Sequence, residues 1–141
     1  PDLLTALADR FGRQCVVLAI DAARDGLRWQ VVVSAGAEPT GLDVVEWATR
    51  ATELGAGEIL LTSWDRDGTR EGYDLALIAA VTAAVRVPVI ASGGASGPDH
   101  LAAALSAGAS AVLAASIFHD GDYAVSTLKT ELRERGVEVR L

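Results

Sequence analysis

The sequence predicts a parallel α/β fold, in which one leading helix is followed by four strand–helix units. Two observations predict this fold. Short apolar runs that end in Asp, Ser or Gly alternate with longer segments of helical periodicity. Half of the 141 residues are hydrophobic but only 5% are aromatic, a composition that suits small-residue helices packed on a buried sheet. Strands separated by helices of this length pair in parallel through right-handed crossovers.

The first two elements are a helix and a strand. The helix is predicted over residues 3–10 and ends near Gly12, because glycine is common just beyond the last turn of a helix. The apolar run at residues 15–20 predicts the first strand, which closes on Asp21. Cys15 is the only cysteine, so no disulfide framework exists, and we expect it to be a small buried hydrophobic residue.

A second extended run and a long helix complete the first half of the chain. Residues 29–34 follow a turn signal at Gly26 and are expected to form a small hairpin with the first strand. The next helix is predicted over residues 40–54, with Thr40 and Asp43 as a capping box.

The second half of the chain repeats the strand–helix order three times. Its predicted strands are residues 58–62, 87–91 and 111–115. Asp74 can cap the helix after the first of these strands, and Pro98 is a favourable first residue for the helix after the second. The final helix is predicted from an apolar stripe and is stopped by Gly136; the stripe consists of Val125, Leu128 and Leu132.

Four parallel strands are about half of a closed (βα)8 barrel, which takes about 250 residues. An isolated sheet of this size leaves two edges open to other chains. We therefore predict a single domain, residues 1–141, that forms the (βα)4 half of a TIM-type barrel and is completed by a second copy. A start at Pro1 with a helix also looks like a cut made between two units.

Composition excludes several classes of function. The formal net charge of −7 argues against nucleic acid and anionic membranes as general partners. Residues 101–118 carry no charge, but Gly108 is better explained as a helix stop than as part of a membrane span. The only lysine, Lys129, lies in the last helix, which excludes a Schiff-base lysine at a strand end and a P-loop. With no signal-peptide pattern, we expect a cytoplasmic protein.

Polar residues at the carboxyl ends of the strands predict a ligand site there. Asp21 ends the first strand and can act as a general acid or base, although bracing of a loop is an equal alternative. The run at residues 63–69, Ser-Trp-Asp-Arg-Asp-Gly-Thr, follows a buried strand that has no need of two carboxylates. Of these two, we favour Asp67 over Asp65 as a ligand contact, because Gly68 permits close backbone approach.

The neighbouring arginines leave a structural alternative for these carboxylates. Arg66 and Arg70 lie close enough in sequence that one of the two aspartates is expected to pair with one of them.

A phosphate site is predicted at the ends of the last two strands. The tripeptide Ser92-Gly93-Gly94 can direct unhindered N–H groups at an anion. Ala115 and Ser116 at the next strand end add small residues and a hydroxyl. In β/α barrels the recurrent phosphate site is built by the last two βα loops. The two histidines lack ligand spacing, so we predict no metal site.

Four sequence blocks closely resemble the cyclase subunit of imidazole glycerol phosphate synthase, in the order of its strands five to eight: residues 17–21, 57–69, 90–94 and 114–119. The resemblance implies that Asp21 is a catalytic acid/base, that Thr62 and Asp67 belong to the active site, and that Ser34 is a nearby loop serine. It implies that one of two substrate phosphates is bound by Gly68, Gly93, Gly94, Ala115 and Ser116. Glu58 is similar to a residue at the ammonia entrance, facing a glutaminase partner. No cofactor is implied.

The implied substrate is phosphoribulosyl-formimino-aminoimidazole-carboxamide ribonucleotide, which reacts with ammonia. The implied products are imidazole glycerol phosphate and aminoimidazole carboxamide ribonucleotide. The family's other catalytic aspartate and its second phosphate site belong to a half that this chain lacks. We therefore expect activity to need a second half, and in a paired dimer two copies of Asp21 would face each other across the mouth.

Two other interpretations stay open. The sister isomerase of the same pathway also uses two aspartates on a half-repeated barrel, although the Asp-Arg-Asp-Gly-Thr block favours the cyclase. The other alternative is a non-catalytic half-barrel, natural or designed, that binds a phosphate ion or a phosphorylated small molecule.

Overall fold

The computed structural model describes residues 1–140. Its helices are α1 (Asp2–Phe11), α2 (Val44–Glu53), α3 (Leu75–Ala84), α4 (Pro98–Ser106), α5 (Ser116–His119) and α6 (Val125–Glu134). Its strands are β1 (Val17–Asp25), β2 (Arg28–Val33), β3 (Glu38–Asp43), β4 (Glu58–Ser63), β5 (Val89–Ser92) and β6 (Ala111–Val112). A short 3₁₀ turn, Arg13–Cys15, connects α1 to β1.

The strands form one sheet in the order β3-β2-β1-β4-β5-β6. Strands β1, β4, β5 and β6 pair in parallel, whereas β2 and β3 add two antiparallel strands at one edge. The α/β class, the four parallel strands and the β1–β2 hairpin predicted from the sequence are therefore confirmed. The hairpin also continues into a third strand, β3, which the sequence did not predict.

The predicted start of the second helix is wrong. Residues from Glu38 to Asp43 form β3, and α2 begins only at Val44. The Thr40 hydroxyl, expected to cap the helix, instead donates to the carbonyl of Val31 in β2 at 2.7 Å. Gly41 has a φ of 72°, which interrupts helical backbone. Asp43 alone is the cap, and its Oδ1 accepts from the N–H groups of the first turn at 2.9 and 3.1 Å.

The prediction that Cys15 is buried is also wrong. Cys15 is exposed and ends the 3₁₀ turn. The first buried position of the run belongs to Val16, and strand β1 begins one residue later. At the other end β1 runs past Asp21 to Asp25, because its second half pairs with β2. The last strand, β6, is shorter than predicted and covers only Ala111–Val112.

The helices cover one face of the sheet. Alternate residues of the parallel strands are buried against α2 and α3: Ile20, Ala22, Ile59, Leu61 and Val89. A second cluster joins the end of β5 to α4, α5 and α6, and includes Ala91, Leu101, Ile117, Leu128 and Leu132. Because side chains alternate along a strand, the residues between these buried positions point to the opposite face.

No helix within residues 1–140 is long and apolar enough to cross a membrane. The uncharged segment 101–118 is divided among α4, β6 and α5.

Asp74 connects helix α3 to the hairpin, and we expect its removal to lower the stability of the chain. Its Oδ1 caps α3 by accepting from the N–H of Leu77 at 3.0 Å. Its Oδ2 accepts from the indole N–H of Trp29 in β2 at 2.8 Å. Asp74→Ala loses the cap and leaves a half-buried indole N–H unpaired, so we expect it to lower the free energy of unfolding by about 2 kcal/mol.

The matched control is Asp43→Ala, which removes a cap that has no second side-chain partner among the described residues. Its expected cost is about 1 kcal/mol. Urea unfolding of both variants measures the difference, and equal losses would show that the indole hydrogen bond contributes nothing.

Candidate active site

Three of the predicted site residues lie side by side across the sheet. Asp21 of β1 pairs in register with Thr62 of β4, which pairs with Ser92 of β5. All three are half-buried, and the residues that precede them in their strands are buried against the helices. Asp21, Thr62 and Ser92 therefore form one polar row on the face of the sheet opposite the helices.

The carboxylate of Asp21 makes no hydrogen bond or ion pair with any residue in the 1–140 range. The bracing role that the sequence left open for it belongs instead to Asp65, whose Oδ2 accepts from the backbone N–H of Arg24 at 2.7 Å. This bond ties the loop after β4 to the end of β1. Asp21 is thus left available to a ligand on the open face of the sheet.

Neither Asp65 nor Asp67 pairs with a neighbouring arginine in the described structure, so that expectation is wrong. Arg66 Nη1 lies 3.2 Å from Glu71 Oε2. Arg70 Nη2 lies 2.6 Å from Asp120 Oδ2 and also contacts a second carboxylate in the segment after α5. The arginines of this loop therefore leave Asp67 unpaired.

A cavity of about 150 Å³ lies where β4, β5 and β6 end. Seven of the ten predicted site residues line it: Asp67, Gly68, Ser92, Gly93, Gly94, Ala115 and Ser116. The other lining residues, which the sequence did not single out as site residues, are Arg70, Ala95, Leu113 and Ala114. Ser92 belongs both to the polar row and to the cavity, so the two are contiguous.

Gly93 and Gly94 are required by the shape of this cavity. Both have a φ of 96°, which L side chains rarely adopt. A Cβ on Gly93 would lie 2.8 Å from the carbonyl oxygen of Ser63, and one on Gly94 would overlap the carbonyl of Gly72. The loop after β4 is held in this position by a 2.7 Å hydrogen bond from Gly72 N–H to Gly94 O.

The cavity offers backbone donors to an anion. Within the described part of the chain, the N–H groups of Gly93, Gly94 and Ser116 donate to no protein acceptor. Unpaired N–H groups at a small-residue turn are the usual means by which backbone binds a phosphate. The lining also contains hydroxyls at Ser92 and Ser116.

Ser34 is placed apart from this cavity. It begins the turn between β2 and β3, is exposed, and has a φ of 54°. The same turn packs against the mouth of the sheet through Gly36, where a Cβ would overlap the indole of Trp64. Ser34 lies two residues beyond Val32 of β2, and Val32 pairs in register with Asp21. The role of Ser34 stays a prediction.

Glu58 lies at the opposite end of the sheet. It is the first residue of β4 and pairs in register with Val17, the first residue of β1. Its side chain is therefore separated from the cavity by the length of β4, as expected for a residue of the opposite strand end.

Tyr73 is a structural residue of the site that the sequence analysis missed. Its hydroxyl donates to the carbonyl of Leu113 at 2.8 Å, which holds the loop after β4 against the end of β6. Burial raises the pKa of this phenol well above its usual value, so the hydroxyl keeps its proton. The aromatic residue just before the helix cap Asp74 was the available signal, since a buried tyrosine hydroxyl usually finds a partner.

No three His, Cys, Asp or Glu side chains within residues 1–140 cluster closely enough to hold a metal ion. The site itself presents one row of Asp and hydroxyl groups beside a backbone anion cavity.

Comparison of the sequence with known proteins assigns the chain to a family. A family model described as "Histidine biosynthesis protein" matches residues 1–124. The imidazole glycerol phosphate synthase subunit HisF of Dehalococcoides mccartyi strain BAV1 is 56% identical over 142 residues, covering 100% of this chain and 56% of that protein. The HisF subunit of Synechococcus sp. strain CC9902 is 58% identical over 150 residues, covering 99% and 57%. That of Metallosphaera sedula is 57% identical over 141 residues, covering 99% and 56%.

The chain spans about half the length of the curated relatives it matches. Its parallel strands and their helices form a partial TIM-type barrel, in agreement with the predicted fold class. The chain belongs to the histidine biosynthesis protein family and corresponds to about half of its HisF members.

Proposed function

We propose that this chain provides the C-terminal half of an imidazole glycerol phosphate synthase cyclase. The observation that carries the proposal is the contiguity of the polar row with the anion cavity through Ser92. In this arrangement one ligand molecule can place a phosphate in the cavity and a reacting group beside Asp21. The substrate class is a bis-phosphorylated aminoimidazole carboxamide ribonucleotide, which reacts with ammonia. The relatives at 56–58% identity favour this cyclase over the sister isomerase.

The proposed roles follow the positions of the side chains. Asp21 moves protons during ring closure and cleavage, since its carboxylate has no protein partner within residues 1–140 and is only half-buried. Thr62 and Asp67 orient the substrate beside it. One phosphate is bound at the cavity by Gly68, Ser92, Gly93, Gly94, Ala115 and Ser116. Ser34 contributes from the β2–β3 turn.

A second half is needed to complete the site. The face that carries the polar row is not covered by the helices, and apolar residues on it are exposed, including Val17 and Leu113. Strand β6 has no partner on its outer side among the described strands. We infer that residues 1–141 act as one half-barrel domain, closed either by a second copy or by a different (βα)4 half. A glutaminase subunit would dock at the Glu58 end.

The test is reconstitution of ammonia-dependent turnover. The chain is assayed alone and as an equimolar mixture with the N-terminal half of a HisF relative, and formation of imidazole glycerol phosphate is measured. Turnover in either sample supports the cyclase, and sedimentation of the chain alone decides whether two copies pair. A monomer with turnover only in the mixture would reject pairing of two copies.

A second candidate is a phosphate-binding module without catalysis. It is favoured by one observation: the anion cavity is formed by this chain alone. Binding of inorganic phosphate without turnover in either sample would establish this alternative and reject the cyclase.

A further inference from the structure

Arg70 lies at the edge of the anion cavity, where binding of a phosphate by backbone N–H groups alone would leave its side chain without a role. We propose that Arg70 is an additional anion-binding side chain of this cavity, oriented by Asp120 and Asp122. The proposal rests on the proposed phosphate site and adds to it one specific side-chain contact. Arg70 lines the cavity from the loop after β4, whereas the two carboxylates belong to the segment between α5 and α6.

The ion pairs of Arg70 with Asp120 and Asp122 leave part of the guanidinium unused. Nη2 lies 2.6 Å from Asp120 Oδ2 and 2.9 Å from Asp122 Oδ2. An arginine has five N–H donors, of which Nη2 carries two. Within the described residues, Nε and Nη1 have no acceptor, so three donors remain for a ligand. A guanidinium held by carboxylates through one nitrogen is pre-organised to bind an anion through the others.

The charges around the cavity also favour a cationic side chain at its rim. Of the described residues that line it, only Asp67 and Arg70 are charged. A phosphate held by backbone N–H groups alone would face the negative charge of Asp67, and this repulsion would weaken its binding. Arg70 brings the positive charge at the same rim, whereas its two carboxylate partners do not line the cavity.

Stability does not account for these contacts. All three side chains are about 40% or more exposed, and ion pairs at such exposure stabilise a protein little. Arg70 also has a φ of 62°, a left-handed conformation that costs stability in any residue except glycine. A strained backbone at a ligand cavity is typical of a functional residue.

The first experiment compares two arginines of the same loop. Arg70→Gln and Arg66→Gln remove the same charge from side chains that are 40% and 41% exposed, but Arg66 pairs with Glu71 and does not line the cavity. Inorganic phosphate is titrated into the 141-residue chain by calorimetry at low ionic strength. We expect Arg70→Gln to weaken binding roughly tenfold and Arg66→Gln to change it by less than about twofold.

Equal affinities for Arg70→Gln and the unmodified chain would overturn the inference while leaving the phosphate site intact. Equal losses in the two variants would also overturn it, because they would reflect net charge alone. No phosphate binding by the unmodified chain would reject both the inference and the proposed site. Circular dichroism and urea midpoints of the variants establish that each is folded.

The orienting role has its own test in the double variant Asp120→Ala, Asp122→Ala. Removal of two negative charges should by itself strengthen anion binding. If these carboxylates hold Arg70 in place, affinity for inorganic phosphate falls instead, by roughly threefold. Tighter binding would show that they only repel the anion and would overturn the orienting role. Arg70→Lys, which keeps the charge but loses the planar fork, is expected to bind with intermediate affinity.

Discussion

Replacing Asp21 with asparagine is expected to lower ammonia-dependent turnover by roughly 10²–10⁴-fold, the usual contribution of a general acid or base. Asparagine has nearly the same size and keeps a polar group in the row with Thr62 and Ser92. It cannot exchange a proton at neutral pH. The loss should therefore appear in kcat, measured in whichever assembly of the chain is active, while KM changes little.

The stability of the chain should be unaffected by Asp21→Asn. Its carboxylate has no hydrogen-bond partner within residues 1–140, so the substitution breaks no contact described there. Asp25→Asn is the matched control, because Asp25 lies on the same strand but is exposed at the hairpin turn. The control should retain full turnover. Retention of full turnover by Asp21→Asn as well would remove Asp21 from the mechanism.

Local signals in the sequence predicted the elements that depend on local contacts. Asp74 and Pro98 were placed at helix starts because a cap or a first-turn proline acts within a few residues. Thr40 carried the same kind of signal, but its hydroxyl bonds to Val31 on another strand, nine residues away. The tertiary contact and the backbone of Gly41 outweighed the helix signal there.

The strand-end rule predicted most of the anion cavity for a similar reason. In a parallel sheet the carboxyl ends of neighbouring strands share one edge, so Asp67, Gly93 and Ser116 meet whatever the details of packing. Arg70 could not be assigned from spacing, because its carboxylate partners lie 50 and 52 residues further along the chain. The strand-end rule does not extend to Ser34. A turn after an antiparallel strand is positioned by the hairpin and not by the ends of the parallel strands.

At Gly93 and Gly94 the same backbone conformation affects both the stability of the chain and the binding of a ligand. Gly94→Ala is expected to lower the free energy of unfolding by roughly 3 kcal/mol, since a φ of 96° is strained for alanine. The new methyl group would also overlap the Gly72 carbonyl oxygen and lie 2.9 Å from its carbon. Relief of this overlap requires the loop after β4 to move, which breaks the Gly72–Gly94 hydrogen bond.

The same movement displaces Asp67, Gly68 and Arg70 from the cavity rim, since they belong to that loop. Affinity for inorganic phosphate should therefore fall together with stability, which separates Gly94→Ala from a substitution that is merely strained. Gly136→Ala is the matched control: its φ is 80°, an added methyl group would meet no atom within 4 Å, and it does not line the cavity. It should cost about 1 kcal/mol and leave phosphate binding unchanged. Gly94→Ala with control-like stability and intact binding would mean that the loops after β4 and β5 are not in close contact.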